Sequence, residues 1–145
     1  MGLYSAGGGS PMLIVKKFGG SSVADAERVN HVAEQIGRDA ERGHRLVVVL
    51  SAQGKTTDRL LEKAREINPH PSRRELDMLL ATGEQQSVAL MAMALQRLGY
   101  EAVSLNAFQV AMHTNRVYGS ARMKTIDTER IRTELERGRI VLVTG

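Results

Sequence analysis

The chain has 145 residues, enough for one domain with a sizeable core. Hydrophobic residues make up 42% of it, but no apolar run approaches the length of about 20 residues that a helix needs to span a bilayer. The absence of cysteine excludes disulfides, thiolate metal sites and a cysteine nucleophile. The net charge of +4 is spread along the chain without interleaved aromatic side chains, which disfavours a nucleic-acid partner.

Residues 1–11 are small and glycine-rich, which predicts a flexible leader or tag-like segment before a domain that starts at Met12. This segment has no apolar stretch of signal-peptide length, so we expect a cytoplasmic protein without a membrane segment. Residues 13–18 predict a first strand. Ser22, with Asp25 three residues later, predicts a capping box for a helix that ends at Gly43.

Residues 46–50 are apolar on both faces, which predicts a central parallel strand, and the turn 51–57 leads into a second helix. Ser72 and Glu75 predict another capping box. The apolar pattern that follows is interrupted at 82–85 and resumes up to Gly99, so it indicates either two helices or one kinked helix.

Val103 and Leu105 suggest a third strand, and residues 110–125 are typical of an irregular hairpin. Asp127 is the predicted cap of a helix that ends at Gly138, and residues 140–143 form the predicted last strand. This alternation predicts an α/β fold with helices on both faces of a mostly parallel sheet. Ligands of such a fold bind beyond the carboxyl ends of the strands.

Three unusual segments follow predicted strands: Gly19–Gly20, residues 51–57 and Gly145. Glycines let a backbone approach phosphate closely, a helix N-terminus attracts anions, and Lys17 adds a full charge. The alternative is a tight turn beside a solvated lysine. A P-loop is excluded because its first glycine would fall on Val49. The four histidines lack metal-ligand spacing, so no metal site is predicted.

Other polar residues in these turns also have structural alternatives. Thr56, Thr57 and Asp58 could be helix caps, and Ser51 could cap the strand end. Glu84 could be a carboxylate that a helix dipole favours.

Four motifs together resemble one family: KFGGSSV at 17–23, VVVLSAQGKTTD at 47–58, MLLATGEQ at 78–85 and TNRVYGSAR at 114–122. From Met12 to Gly145 the chain resembles the N-terminal part of bacterial aspartate kinases, of the amino-acid kinase superfamily. The resemblance implies a three-layer αβα sandwich, incomplete in this chain. It implies transfer of the γ-phosphoryl group of ATP to the β-carboxylate of L-aspartate, giving 4-phospho-L-aspartate for lysine, threonine and methionine biosynthesis.

The resemblance also implies a role for each matching residue. Lys17 would lie against the transferring phosphoryl group as the catalytic residue. The same lysine with Phe18, Gly19 and Gly20 would bind ATP, whose Mg²⁺ is carried by the nucleotide rather than by a protein metal site. Aspartate would be held by Ser51, Thr57 and Glu84, the last of which meets its α-ammonium group.

The resemblance further implies that residues 12–145 stop before the nucleotide-binding half and the regulatory ACT domains. We therefore expect this segment to be inactive alone and to form a homo-oligomer or self-associate, with its last strand presenting an unpaired edge or exposed apolar face. Two alternatives remain open. The chain could be another superfamily member, such as a different amino-acid kinase or a carbamate kinase, or it could be a non-catalytic anion-binding or assembly module.

Overall fold

The computed structural model describes residues 11–106, 112–114, 123–126 and 129–145, and of the short strands 112–114 and 123–126 it describes the backbone. The predicted leader up to residue 10, the predicted cap Asp127 and most of the TNRVYGSAR motif lie outside the described residues. The elements are, in order, β1 (Leu13–Phe18), a 3-10 helix (Gly20–Val23), α1 (Ala26–Glu41), β2 (Arg45–Leu50), α2 (Thr56–Ile67), α3 (Arg73–Arg97), β3 (Ala102–Leu105), β4 (Met112–Thr114), β5 (Met123–Ile126), α4 (Glu129–Glu136) and β6 (Ile140–Thr144).

The main sheet has four parallel strands in the order β1-β2-β6-β3. The predicted parallel α/β fold is therefore confirmed. Strand β6 lies between β2 and β3, with Val143 opposite Val49 on one side and Leu105 on the other. The expectation that the last strand presents an unpaired edge is wrong, because β6 is paired on both sides and nearly all of it is buried. The edge strand near the chain start is β1, where Leu13 and Val15 are 60% and 65% exposed.

Helices cover the two faces of this sheet and create two apolar clusters. One cluster packs α1 and α3 against the sheet residues that point to their side, with Ile36, Leu95 and Leu142 at its centre. The other cluster packs Leu135 of α4 against Val141 and the neighbouring strands. Because successive side chains of a strand point to opposite faces, the continuous apolar sequences of β2 and β6 supply both clusters at once.

The helix starts differ in part from the predicted caps. Asp25, rather than Ser22, is the N-cap of α1, where its carboxylate accepts a hydrogen bond from the amide of Arg28 at 2.8 Å. Ser22 lies in the 3-10 helix that begins at Gly20 and precedes α1. Ser72 is the N-cap of α3 and accepts from the amide of Glu75 at 3.3 Å, as predicted.

Helix α3 is one continuous helix of 25 residues, which resolves the choice between one and two helices. It runs through Gly83, which is buried. The hairpin predicted at 110–125 has its counterpart in the antiparallel pair β4 and β5, whose register shifts at Thr114. Within the described ranges, no helix is long and apolar enough to cross a membrane.

Candidate active site

The turns that follow β1, β2 and β6 meet at the carboxyl edge of the sheet. The amide of Gly54, after β2, donates to the carbonyl of Gly20, after β1, at 2.9 Å. The amide of Gly145, after β6, donates to the carbonyl of Leu50 at the end of β2, also at 2.9 Å. These backbone bonds tie three chain segments into one surface, so the turns that the sequence singled out are brought together.

The two glycines after β1 meet different requirements. A Cβ atom on Gly20 would lie 2.4 Å from the carbonyl oxygen of Ala52, so only glycine permits this approach of the two turns. A Cβ atom on Gly19 would meet nothing within 4 Å. The backbone at Gly19 therefore faces open space, and a ligand can approach it closely.

The two lysines of β1 lie in different electrostatic surroundings. Lys16 forms an ion pair with Asp39 of α1, a residue that is 8% exposed, and Asp39 also accepts from Arg42 at 3.2 Å. Lys17 points to the other face of the strand, is exposed and has no ion pair among the described residues. Of the doublet, Lys17 is therefore the ammonium group that is free to meet an anionic ligand.

Glu84 is brought to this edge by the close packing of α3. A Cβ atom on Gly83 would lie 3.1 Å from the Cβ of Ala52 and 3.2 Å from the Cγ2 of Thr56. The absence of a side chain at Gly83 thus lets α3 approach the turn after β2, and it places half-buried Glu84 at the site. Burial raises the pKa of Glu84 above its ordinary value, and the positive charge of Lys17 partly opposes that rise.

The predicted hydroxyl residues lie at the same edge, although no hydrogen bond in the described part of the chain joins them to each other. Ser51 directly follows β2, and its amide donates to the carbonyl of Phe18 at 3.2 Å. Thr57 is exposed in the first turn of α2, and neither hydroxyl has a hydrogen-bond partner within the described ranges. Lys55 is the N-cap of α2 without a side-chain bond, so the interpretation of these threonines as caps is wrong.

Phe18 contributes differently from the other predicted residues. Its half-buried side chain packs against the larger apolar cluster, next to α1. At the site itself, the contact that it makes is the backbone bond from Ser51.

The arrangement combines an ammonium group, open backbone and a carboxylate on one surface. It can bind a ligand that carries both negative and positive groups, because Lys17 and Glu84 offer opposite charges to different parts of it. Among the described residues, no group of three or more histidines, aspartates and glutamates could hold a metal ion.

Sequence reasoning missed two residues that shape this site. Gly83 interrupts a helical apolar pattern, and an isolated glycine in such a pattern is a signal for close packing. Gln53 contacts the 3-10 helix after β1 through its side chain, and nothing in the sequence indicates this contact.

Comparisons with known proteins agree with the architecture. Residues 12–145 match the model of the amino acid kinase family. The chain is 52% identical over 133 residues to the aspartokinase of Geobacillus stearothermophilus, covering 92% of this chain and 33% of that protein. The structure of aspartate kinase from Synechocystis superimposes with a TM-score of 0.80 at 44% identity, covering 92% of this chain and 22% of that one.

A more distant structure supports the fold alone. Escherichia coli aspartokinase III, in complex with aspartate and ADP, superimposes with a TM-score of 0.76 at 23% identity, covering 94% of this chain and 40% of that one. The chain spans about a third of the length of the curated relatives that it matches.

Proposed function

The chain belongs to the amino acid kinase family, and we propose that it supplies the phosphoryl-transfer lysine and part of the substrate site of an aspartate kinase. The reaction is transfer of the γ-phosphoryl group of ATP to the β-carboxylate of L-aspartate, giving 4-phospho-L-aspartate and ADP. The 52% identity to an aspartokinase supports this choice within the family. The structure of E. coli aspartokinase III is a complex with aspartate and ADP, and these ligands correspond to the substrate and the nucleotide product proposed for this chain.

The observation that carries the proposal is the pair of opposite charges at the carboxyl edge of the sheet. Lys17 has no ion pair among the described residues, and Glu84 is half-buried and within electrostatic range of it. An amino-acid acceptor needs a carboxylate for its ammonium group, and a phosphoryl group in transfer needs a positive charge. Both groups lie on one surface and are held by different elements, β1 and α3.

The chemistry requires no protein nucleophile. The β-carboxylate of aspartate is ionised at neutral pH and attacks the γ-phosphorus, so that a carboxylate O–P bond forms and the bond to the bridging oxygen of ADP breaks. Lys17 stabilises the charge on the phosphoryl oxygens during this transfer. Glu84 binds the α-ammonium group, while the hydroxyls of Ser51 and Thr57 orient the rest of the acceptor.

The nucleotide is expected to approach the turn after β1. Gly19 leaves its backbone open, and Gly20 and Phe18 fix the turn from either side through contacts to the chain after β2. Mg²⁺, bound to the nucleotide phosphates, would supply charge neutralisation there. No described cluster of protein ligands fits a metal of its own, which is why we propose that the nucleotide carries it.

Because the chain spans about a third of its relatives, we propose this activity for the full-length gene product. Positioning supplies most of the catalysis in phosphoryl transfer, so residues 12–145 alone are expected to bind ligands weakly and turn over little. We also propose a cytoplasmic location, which fits a reaction that consumes ATP.

The test of this function is an acceptor screen with the full-length gene product. ADP release from MgATP is measured with L-aspartate, N-acetyl-L-glutamate, carbamate and UMP in turn, and Lys17→Met is the control for the proposed chemistry. Of the four acceptors, we expect only L-aspartate to cause ADP release, and we expect this release to be lost in Lys17→Met. Release with another acceptor would indicate a different amino acid kinase, and ligand binding without release would indicate a binding module.

We further propose that the protein self-associates through the outer face of α3, formed by exposed residues spaced along that helix: Met78, Thr82, Gln86, Leu90 and Met93. Met78, Leu90 and Met93 are 58%, 41% and 61% exposed. Between Met78 and Gln96 the helix contains one charged residue, Glu84, which lies at the site instead. The face is therefore uncharged and has three exposed apolar side chains, which is typical of a surface that packs against another protein surface.

A second copy fits this face better than a different partner because the face complements itself. Met78 and Met93 are about 22 Å apart along the helix axis. A two-fold axis near Gln86 would place Met78 of each copy against Met93 of the other, and Thr82 against Leu90. Such an antiparallel pair of helices buries the apolar side chains of both copies.

Light scattering at several protein concentrations tests this interface. We expect the wild-type protein to be at least dimeric, and Leu90→Glu and Met93→Glu to shift it toward the monomer. Ile67→Glu is the matched control, since Ile67 is 88% exposed on α2 and lies off this face. Equal masses for all four proteins would contradict the proposed interface.

A further inference from the structure

A side chain bridges the two turns that form the candidate active site. The Nε2 of Gln53, after β2, donates to the carbonyl oxygen of Val23 at 2.8 Å, and the two residues are 30 positions apart. Val23 ends the 3-10 helix that begins at Gly20, and it is 1% exposed. This bond therefore crosses between the segment that carries Gly19 and the segment that begins at Ser51.

The backbone around Gln53 is held at both ends. Its carbonyl accepts from the amide of Thr56 at 2.8 Å, which joins it to the start of α2. The amide of the next residue, Gly54, donates to the carbonyl of Gly20 at 2.9 Å. The backbone of Gly54 has a φ angle of +44°. We refer to these contacts between residues 53–54 and residues 20–23 as the loop latch.

The Gln53 bond is the part of the latch that depends on a particular side chain. The other cross-turn bond, from Gly54 to Gly20, joins backbone atoms and depends on the two glycines rather than on a side chain that donates. The carbonyl of Val23 lies in a half-buried contact, where losing its donor would leave an acceptor with less access to water. Gln53 is long enough to reach it and has the N–H donor that it needs.

We propose that Gln53 is a positioning residue for phosphoryl transfer. Gln53 does not touch the reacting atoms. Through the loop latch it fixes the position of the turn beside Lys17 relative to Ser51 and the start of α2. Each turn keeps its own ligand contacts without the latch. The geometry that depends on the latch is the alignment of acceptor and phosphoryl donor, and small misplacements of reacting groups slow transfer strongly.

The latch itself is tested by amide hydrogen exchange on the 145-residue chain, which requires no activity. In Gln53→Met the donor is lost while the side-chain length is kept. We expect exchange at Gly54 to accelerate by about two- to tenfold, the range that one net hydrogen bond supports. Gln96→Met is the matched control because Gln96 Nε2 donates to the carbonyl of Ala102, at 3.3 Å, outside the site. Unchanged exchange at Gly54 in Gln53→Met would overturn the latch.

The positioning role is tested by kinetics of the full-length gene product, and this part rests on the proposed function. We expect Gln53→Met to lower kcat by about two- to tenfold. The Kd of aspartate and of ADP, each measured alone, should stay within about twofold of wild type, because each turn retains its own contacts. Gln96→Met should leave kcat unchanged.

The outcomes separate the two proposals. Faster exchange at Gly54 with an unchanged kcat would show a purely structural contact and overturn the positioning role. A rise in both Kd values with constant kcat would also overturn it, since Gln53 would then support ligand binding. If wild type transfers no phosphoryl group to aspartate, the proposed function fails, and the latch is decided by the exchange result alone.

Discussion

Replacing Glu84 by glutamine keeps the size of the side chain and removes its negative charge, so the variant separates recognition from packing. If Glu84 binds the α-ammonium group of aspartate, a charge-assisted hydrogen bond is replaced by a neutral one. Such bonds contribute about 1.5–3 kcal/mol. Because Glu84 is half-buried rather than fully desolvated, we expect the lower part of that range, about 1.5–2 kcal/mol.

This loss corresponds to aspartate binding that is roughly ten- to thirtyfold weaker. Calorimetry of the full-length gene product with aspartate and, separately, with MgADP measures it. Glu75→Gln is the control, since Glu75 is an exposed carboxylate in the first turn of the same helix and pairs with Arg74. The control should bind aspartate as wild type does, and ADP affinity should change little in either variant.

The same variant has an expected effect on stability. Burial raises the folded-state pKa of Glu84 above the ordinary value of 4.5, so the ionised form is disfavoured by folding. This cost is absent at low pH and appears as the pH rises through the folded-state pKa. Glu84→Gln should therefore be at least as stable as wild type in urea at neutral pH, with the difference vanishing toward pH 4.5. Weaker binding of both ligands together with lower stability would refute the reasoning, because Glu84 would then support the fold.

Other substitutions test the site and the packing around it. Lys17→Met should lower kcat at least about 100-fold in steady-state assays with an unchanged urea midpoint, and near-normal turnover would contradict its role. Gly37→Ala should destabilise by up to about 2 kcal/mol in urea unfolding, because its Cβ would lie 2.3 Å from the ring of Tyr100 and the overpacking should outweigh the about 0.5–1 kcal/mol that alanine gains over glycine inside a helix; an unchanged midpoint would contradict this packing. Glu134→Gln should be less stable than wild type at neutral pH. Arg139 holds the folded-state pKa of Glu134 below 4.5. The stability difference between Glu134→Gln and wild type should therefore disappear in unfolding curves as the pH falls through that lowered pKa. A stability difference that does not depend on pH would argue against the charge as its cause.

The strands were the most predictable part of the fold. Residues 46–50 are a short apolar run, and residues 13–18 begin with three apolar residues and end before two glycines; the structure has strands at Leu13–Phe18 and Arg45–Leu50. The order of strands in the sheet could not be obtained in the same way. Strand β6 is last in sequence and central in space, because its pairing with β2 and β3 depends on contacts between distant segments.

The sequence is ambiguous where two nearby residues suit the same role equally well, such as a helix N-cap or a free positive charge. Ser22 and Asp25 are both good N-caps, and the structure uses Asp25 because a 3-10 helix occupies residues 20–23. Lys16 and Lys17 were likewise equivalent as basic residues. Strand alternation predicts that they face opposite sides, but Asp39 on α1 decides which of them is paired.

Some residues of the candidate site are predictable from local sequence, and others depend on contacts between distant segments. Physical reasoning alone predicts an anion site at the glycines and Lys17, since they follow a strand and precede a helix. The role of Glu84 in binding the substrate ammonium group is predicted by the family resemblance. Its proximity to Lys17 depends on the approach of α3 through Gly83, a contact between residues that are far apart in sequence.

The central claim is that Lys17 serves phosphoryl transfer to the β-carboxylate of aspartate. Its most direct test is to incubate the full-length gene product with MgATP, L-aspartate and hydroxylamine, and to identify the trapped product by chromatography against authentic α- and β-hydroxamates of aspartate. The proposed function predicts the β-hydroxamate of aspartate from wild type and at least about 100-fold less from Lys17→Met. An α-hydroxamate, no hydroxamate, or equal amounts from both proteins would contradict it.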